Sequence, residues 1–318
     1  MISRHEFLTV LCIGLIQVSF AHAYEASMVS ALQNTYSACV GIDDHLADLK
    51  KMAGINTAIT GVGTGLGAGA TIVGLVKAGK DKELEEIDVK LQKLRQLESA
   101  NKTITPTEIE VEQFQRDFQS SYAGSIQEIE RLEKEREELN KKSKSLGNWR
   151  TGLMVGNTAT NVAGAIIASQ NRVDDDLEKQ IDDCKAALKD LQKAMMQAKI
   201  DGTDISEAQV IYDACKEYDY VDISKINAKG KGATISSVVG ATTGVAGTVT
   251  SAMANADATR NDDTKSGKQK EKNLNTAANV LAGASTVASA TATVFNATQI
   301  KAITDVANVA AKCTGVLK

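Results

Sequence analysis

The sequence predicts an all-α protein: two repeated helical hairpins with Gly/Ala/Thr-rich arms, the first carrying a long antiparallel coiled-coil insertion. Three observations predict it. The 318-residue chain has one proline, Pro106, which argues for long helices with few breaks. Four uncharged stretches of small residues repeat at helical spacings. Two fixed offsets align cysteine-bearing segments of the first part of the chain with those of the second.

The N-terminus reads as a secretory signal peptide over 1–23. Arg4 and His5 make a short basic start, Phe7 to Phe20 is mostly apolar, and Ala21-His22-Ala23 fits a small-x-small cleavage site. An uncleaved anchor is the alternative. Cleavage leaves Cys39, Cys184, Cys215 and Cys313, an even set that in an exported chain suggests two disulfides with three pairings to choose from.

Tyr36-Ser37-Ala38-Cys39 recurs as Tyr212-Asp213-Ala214-Cys215, an offset of 176, which also sets the uncharged run 53–76 on 233–256. Cys184 matches Cys313 at an offset of 129, setting 151–168 on 280–297. Each copy then reads as cysteine, small-residue arm, connector, small-residue arm, cysteine. The boundaries are 24–200 for repeat 1, with an insertion at 80–146, and 201–318 for repeat 2. If each copy is a hairpin, its outer ends meet, so Cys39 pairs with Cys184 and Cys215 with Cys313. The rival pairing joins the copies through Cys184–Cys215 and Cys39–Cys313.

In the insertion, Leu84, Ile87, Leu91 and Leu94 alternate spacings of three and four, a heptad seam. Thr105-Pro106-Thr107-Glu108 suits a helix start, with 101–105 as the hairpin tip. Val111, Phe114, Phe118, Tyr122, Ile126, Ile129 and Leu132 continue a stripe down the second arm. Between the copies, 174–199 reads as an amphipathic helix opened by Asp174-Asp175-Asp176, and Asp201-Gly202-Thr203-Asp204 as a turn.

The small-residue stretches are not linkers, because Ile55, Ile59, Val62, Leu66, Ile72 and Leu75 punctuate the first. Spacings near four favour helices over strands. They mark Gly61, Gly65 and Gly69 in the first stretch, Gly152, Gly156 and Gly164 in the second, and Gly240 and Gly244 in the third as helix-packing residues. Glycine inside a helix costs about 1 kcal/mol relative to alanine, so close approach of another helix must offset it.

No catalytic, cofactor-binding or metal-ligating set is read from the sequence. Gly74–Asp81 lacks the Ser or Thr a phosphate loop needs after Lys80, and His45 is the only histidine after Tyr24. The net charge of −4 gives no electrostatic reason for a nucleic-acid partner. The first functional expectation is therefore an exported, non-enzymatic structural or interaction protein of the bacterial envelope or secretome. It would reside in the periplasm or be secreted, meet a protein partner through its coiled-coil arm, and be free to oligomerise. The alternative is a membrane-inserting or pore-forming protein using its glycine-zipper stretches. More than twenty uncharged residues per stretch suffice to cross a bilayer, yet the polar content keeps hydropathy low in three of the four.

Overall fold

The computed structural model describes residues 27–102, 111–260 and 264–317. The expected signal peptide and 103–105 of the hairpin tip, with its Thr105–Glu108 start, lie outside the described residues, as do the side chains of Phe114, Phe118 and Tyr122, while 101–102 of the expected tip still belong to the helix. The fold is all-α, with no strand among the described residues. In order come α1 (27–39), α2 (Ile42–Lys102), α3 (Val111–Gln170), α4 (Asp175–Ile200), α5 (Ser206–Cys215), a 3-10 turn (Lys216–Tyr220), α6 (Ser224–Asn255), the short α7 (Asp257–Arg260) and α8 (Lys265–Leu317).

Among the described residues two positions take a left-handed backbone, and glycine fills both. Gly41 (φ 93°) separates α1 from α2. Gly202 (φ 75°) ends α4: its N–H bonds Lys199 O while Thr203 N–H reaches back to Ala198 O, a Schellman termination. At the other end of α4, Asp174 Oδ1 accepts from Leu177 N–H at 2.8 Å, so the first of the three aspartates is the N-cap.

The chain divides into two compact units that do not follow the sequence copies: 1–59, 164–235 and 291–318 form unit 1, and 60–163 with 236–290 form unit 2. Unit 1 holds a conventional apolar core. Ile42 and Leu46 of α2, Leu177, Ile181 and Leu188 of α4, Tyr218, Ile226 and Ile303 are buried together. A second cluster joins Met28 and Ala31 of α1 to Leu191 and Met195 of α4 and Ala208 of α5. The structure joins Cys39 to Cys184 and Cys215 to Cys313, with all four sulfurs inside the first of these cores.

Unit 2 has two parts. In the insertion, Ile87 and Leu91 of α2 pack on Ile129, Leu132 and Leu139 of α3, with Leu84 and Leu94 beside them. The pairs Asp88–Arg136 and Arg95–Glu133 cross the same seam, so the two helices run antiparallel. Below it, the uncharged stretches of α2, α3, α6 and α8 pack through small and polar residues.

All four helices bury positions that alternate three and four apart: in α2, 53, 56, 60, 63, 67, 70, 74 and 77, and in α3, 147, 150, 154, 157, 161, 164 and 168. That is the 3.5-residue period of a coiled coil, not the four-residue period read from the glycines. The helix-packing expectation is corrected at Gly61, Gly65 and Gly152, while Gly164, Gly240 and Gly244 lie in the buried row. A Cβ built at Gly61, Gly65 or Gly152 would meet nothing within 4 Å, and Gly65 and Gly152 are exposed. The buried glycines of α2 are Gly63, Gly67 and Gly74, one row over.

Residues 128 apart lie side by side: Asn157 with Ser285, Asn161 with Ser289, and Asn171 with Gln299, so α3 and α8 run parallel. The two sequence offsets carry the pair Gly67/Asn157 (α2–α3) to within one residue of Gly244/Ser285 (α6–α8), and Gly67/Thr286 (α2–α8) to within one of Gly244/Thr158 (α6–α3).

Candidate membrane-facing bundle and its polar seam

The seam of unit 2 is built from side chains that a water-soluble helix would turn outward. Asn157, Asn161, Ser285 and Ser289 are all at most 1 % exposed. Asn157 Nδ2 donates to Ser285 Oγ (2.8 Å), and that hydroxyl donates to the Gly240 carbonyl (2.7 Å). Asn161 Nδ2 donates to Ser289 Oγ (2.8 Å). Most of these groups find partners on a different helix, so burial does not leave them unsatisfied.

The glycines act as sockets for these polar knobs. A Cβ at Gly63 would stand 2.5 Å from Thr160 Oγ1, one at Gly67 2.5 Å from Thr286 Oγ1, and one at Gly244 2.5 Å from Thr158 Oγ1. At Gly240 it would stand 2.6 Å from Asn161 Oδ1. Gly156 meets the Leu66 side chain at 3.1 Å, Gly69 touches Leu153 at 3.5 Å, and Gly164 is buried. Of the expected packing glycines, Gly240 and Gly244 face Asn161 and Thr158 of another helix, while Gly69 and Gly156 face leucine side chains.

The seam ends in a buried charged cluster that the sequence did not reveal. Lys77 is fully buried, 2.6 Å from Asp81 and 3.8 Å from Glu271. Arg150, also fully buried, donates from Nε to Ser251 Oγ (2.9 Å), from Nη1 to Asn279 Oδ1 (3.0 Å) and from Nη2 to Asn275 Oδ1 (2.9 Å). Asp81 links the two cations, bonding Lys77 directly and accepting from Asn275 Nδ2 at 3.4 Å. Burial pushes the Lys77 pKa down against the pull of Asp81 and Glu271, and pushes the Glu271 carboxyl up. The heptad position of Lys77 and Arg150 was the available signal, hidden because charged residues are normally read as surface.

The outside of the same stretches is apolar. Val62, Ile72 and Leu75 of α2, Val155 of α3, Val249 of α6 and Val287 of α8 are 51–67 % exposed. Ile55, Ile166, Ile235 and Val294 continue this in unit 1. In water each such side chain forgoes the roughly 1.5–3 kcal/mol that burial would provide. Among the described residues two helical segments, 27–96 and 265–317, are long and apolar enough to cross a membrane by length and composition, and only 28 % and 33 % of their most apolar windows is buried inside the protein. Trp149, beside Arg150, is 68 % exposed. His45 is exposed, and no cluster of three metal-ligating side chains occurs among the described residues. No protein-family model, curated protein or solved structure matches the chain.

Proposed function

We propose that this is a non-enzymatic membrane protein whose four uncharged stretches, 52–76, 151–171, 232–256 and 273–300, cross a bilayer as a polar-seamed helical bundle. The observation that carries this reading is the inversion of polarity: valine, isoleucine and leucine outward, asparagine, serine, threonine, lysine and arginine inward. Hydrocarbon favours both halves of that pattern. Leu, Ile and Val each gain about 0.3–0.6 kcal/mol at the centre of a membrane helix. Interhelical hydrogen bonds from Asn and Ser add about 0.6 kcal/mol apiece, and small residues permit close packing.

The cysteines support the same reading. Four crossings return the chain to its starting side, so 24–51, 172–231 and 301–318 share one face, and 77–150 and 257–272 the other. Cys39, Cys184, Cys215 and Cys313 all fall in the first group, where an oxidising, exported compartment would keep their disulfides. The insertion then stands on the opposite face. Its apolar seam is closed within its own hairpin, leaving charged faces such as that of Arg131 and Glu128 for a protein partner. The seam of unit 2 is filled by side chains, so the reading is an embedded bundle rather than an open channel within one chain.

Alkaline carbonate extraction of membranes from cells producing the protein tests this. The mature chain should stay in the membrane pellet. Release into the supernatant would return the account to a soluble exported protein.

A further inference from the structure

The six cations that border the uncharged stretches in unit 1 are Lys50 and Lys51 of α2, Arg172 just after α3, Lys229 and Lys231 of α6, and Lys301 of α8. Contacts bring these segments together: Asn56 Nδ2 of α2 donates to Asn296 Oδ1 of α8 at 2.9 Å. A Cβ at Gly230 would lie 3.5 Å from Arg172 Cγ and 3.0 Å from Gln299 Nε2, two residues before Lys301. Lys50, Lys51, Lys231 and Lys301 are exposed, and Arg172 and Lys229 are half-buried.

None of the six forms an ion pair among the described residues. The ion pairs of unit 1 use Lys185, Lys193, Lys216, Lys225 and Lys312 instead. Arg172 Nε is buried without a hydrogen-bond partner. The nearest carboxylate to it in sequence, Asp174, caps α4. The far end of the same helices differs: there Lys77, Lys80, Arg136 and Lys268 are all paired with carboxylates. Unit 1 thus carries a collar of cations without carboxylate partners, Lys229 standing 5.9 Å from the Phe295 ring centroid, beside exposed Ile55, Ile166, Ile235 and Val294.

We propose that this collar holds the phosphate headgroups of anionic phospholipids, a proposal that rests on the membrane reading above. A phospholipid presents an anion next to an acyl chain, which is the order in which unit 1 presents cations and then aliphatic side chains. An acidic protein or a nucleic acid would satisfy the cations and leave the aliphatic surface uncovered. Each Lys or Arg near an anionic leaflet gains enough to shift binding several-fold.

The test is reconstitution of the mature chain into phosphatidylcholine vesicles containing about a third phosphatidylglycerol, followed by mild detergent extraction and quantification of the co-purifying phospholipid. The expected result is phosphatidylglycerol enrichment of roughly tenfold over the bulk ratio, abolished near molar salt. The combined variant Lys50→Gln, Lys51→Gln, Lys231→Gln, Lys301→Gln should return the ratio to bulk while keeping both disulfides on non-reducing peptide maps. The control variant Lys189→Gln, Lys193→Gln, Lys199→Gln, with exposed lysines of α4 in the same unit, should keep the enrichment. A bulk ratio in the unmodified protein, equal enrichment in the first variant, or displacement by inorganic phosphate at matched ionic strength would each overturn the collar and leave the membrane reading standing. Failure of the chain to enter the vesicles at all would overturn both.

Discussion

The α4 side of unit 1 and the seam of unit 2 are both helical packings of heptad-like residues, and they are inverted copies in polarity. In the first, Leu177, Ile181, Leu188 and Tyr218 point inward and charged residues such as Asp182, Lys193 and Glu217 point out. In the second, Asn157, Asn161, Ser289 and Arg150 point inward and Val62, Ile72, Leu75 and Val287 point out. The same backbone period serves both, and on the membrane reading proposed above the difference records the solvent each surface faces. The first packing is stable in water through apolar burial and two disulfides. On the proposed reading the second is stabilised by an apolar surrounding at its outer face and by interhelical hydrogen bonds at its inner one.

Substitutions that act on one region and spare the other sharpen this contrast. The largest effect belongs to unit 1. Opening Cys39–Cys184 or Cys215–Cys313, which close spans of 145 and 98 residues, should each cost about 4–5 kcal/mol in the loop-entropy account. Cys39→Ser with Cys184→Ser, followed by denaturant unfolding, measures it. In unit 2, Arg150→Ala removes three charge-assisted hydrogen bonds and leaves Ser251, Asn275 and Asn279 without their donor. A loss of about 3 kcal/mol is expected in detergent-solubilised thermal unfolding.

Next come outward substitutions. Val287→Lys, on the exposed middle of α8, should oppose membrane integration by about 3 kcal/mol. Val210→Lys, equally exposed on α5, should change stability by less than about 0.5 kcal/mol. Equal tolerance of both in a carbonate-extraction assay would break the contrast. Smaller again, Gly67→Leu should destabilise by about 2 kcal/mol because Thr286 fills its space, whereas Gly65→Leu, facing nothing within 4 Å, should be neutral or slightly stabilising. Paired melting curves decide between the two rows.

The smallest effect is a pH response in the insertion. Burial raises the Asp88 carboxyl, but hydrogen bonds from Lys268 and Arg136 more than reverse it, so its folded pKa lies below the ordinary value. Its contribution is therefore full above the unfolded carboxylate pKa of about 3.9 and is lost as pH falls through the folded value. Acid titration of helicity should show this loosening, and Asp88→Asn should flatten that part of the curve.

Much of unit 1 was legible in the sequence. The amphipathic stripe of α4, its Asp174 cap and the Gly202 turn follow from residue types with strong local preferences. The cysteine pairing followed from matching Cys39 with Cys215 and Cys184 with Cys313. The insertion's seam was legible because Leu84, Ile87, Leu91 and Leu94 announce it. The same seam continues through Gly63, Gly67, Ala70, Gly74 and Lys77, yet glycines recur at both spacings there and no bulky residue selects the row. Inward placement of Lys77 and Arg150 was illegible for a related reason: charge is read as surface unless partners are known, the Lys77–Asp81 spacing of four is that of an ordinary surface pair, and Glu271, Asn275 and Asn279 become partners only in the fold. The exposed valines were visible as residues, but their outward direction depends on the row chosen for the glycines.

The most direct measurement of the inverted polarity places the reporter on the outer face itself. In a Trp149→Phe background, Val287→Trp is reconstituted into vesicles whose acyl chains carry bromine, and Val210→Trp serves as the reference in unit 1. The account predicts strong quenching at 287 and none at 210. Unquenched, water-like emission from both positions would contradict it.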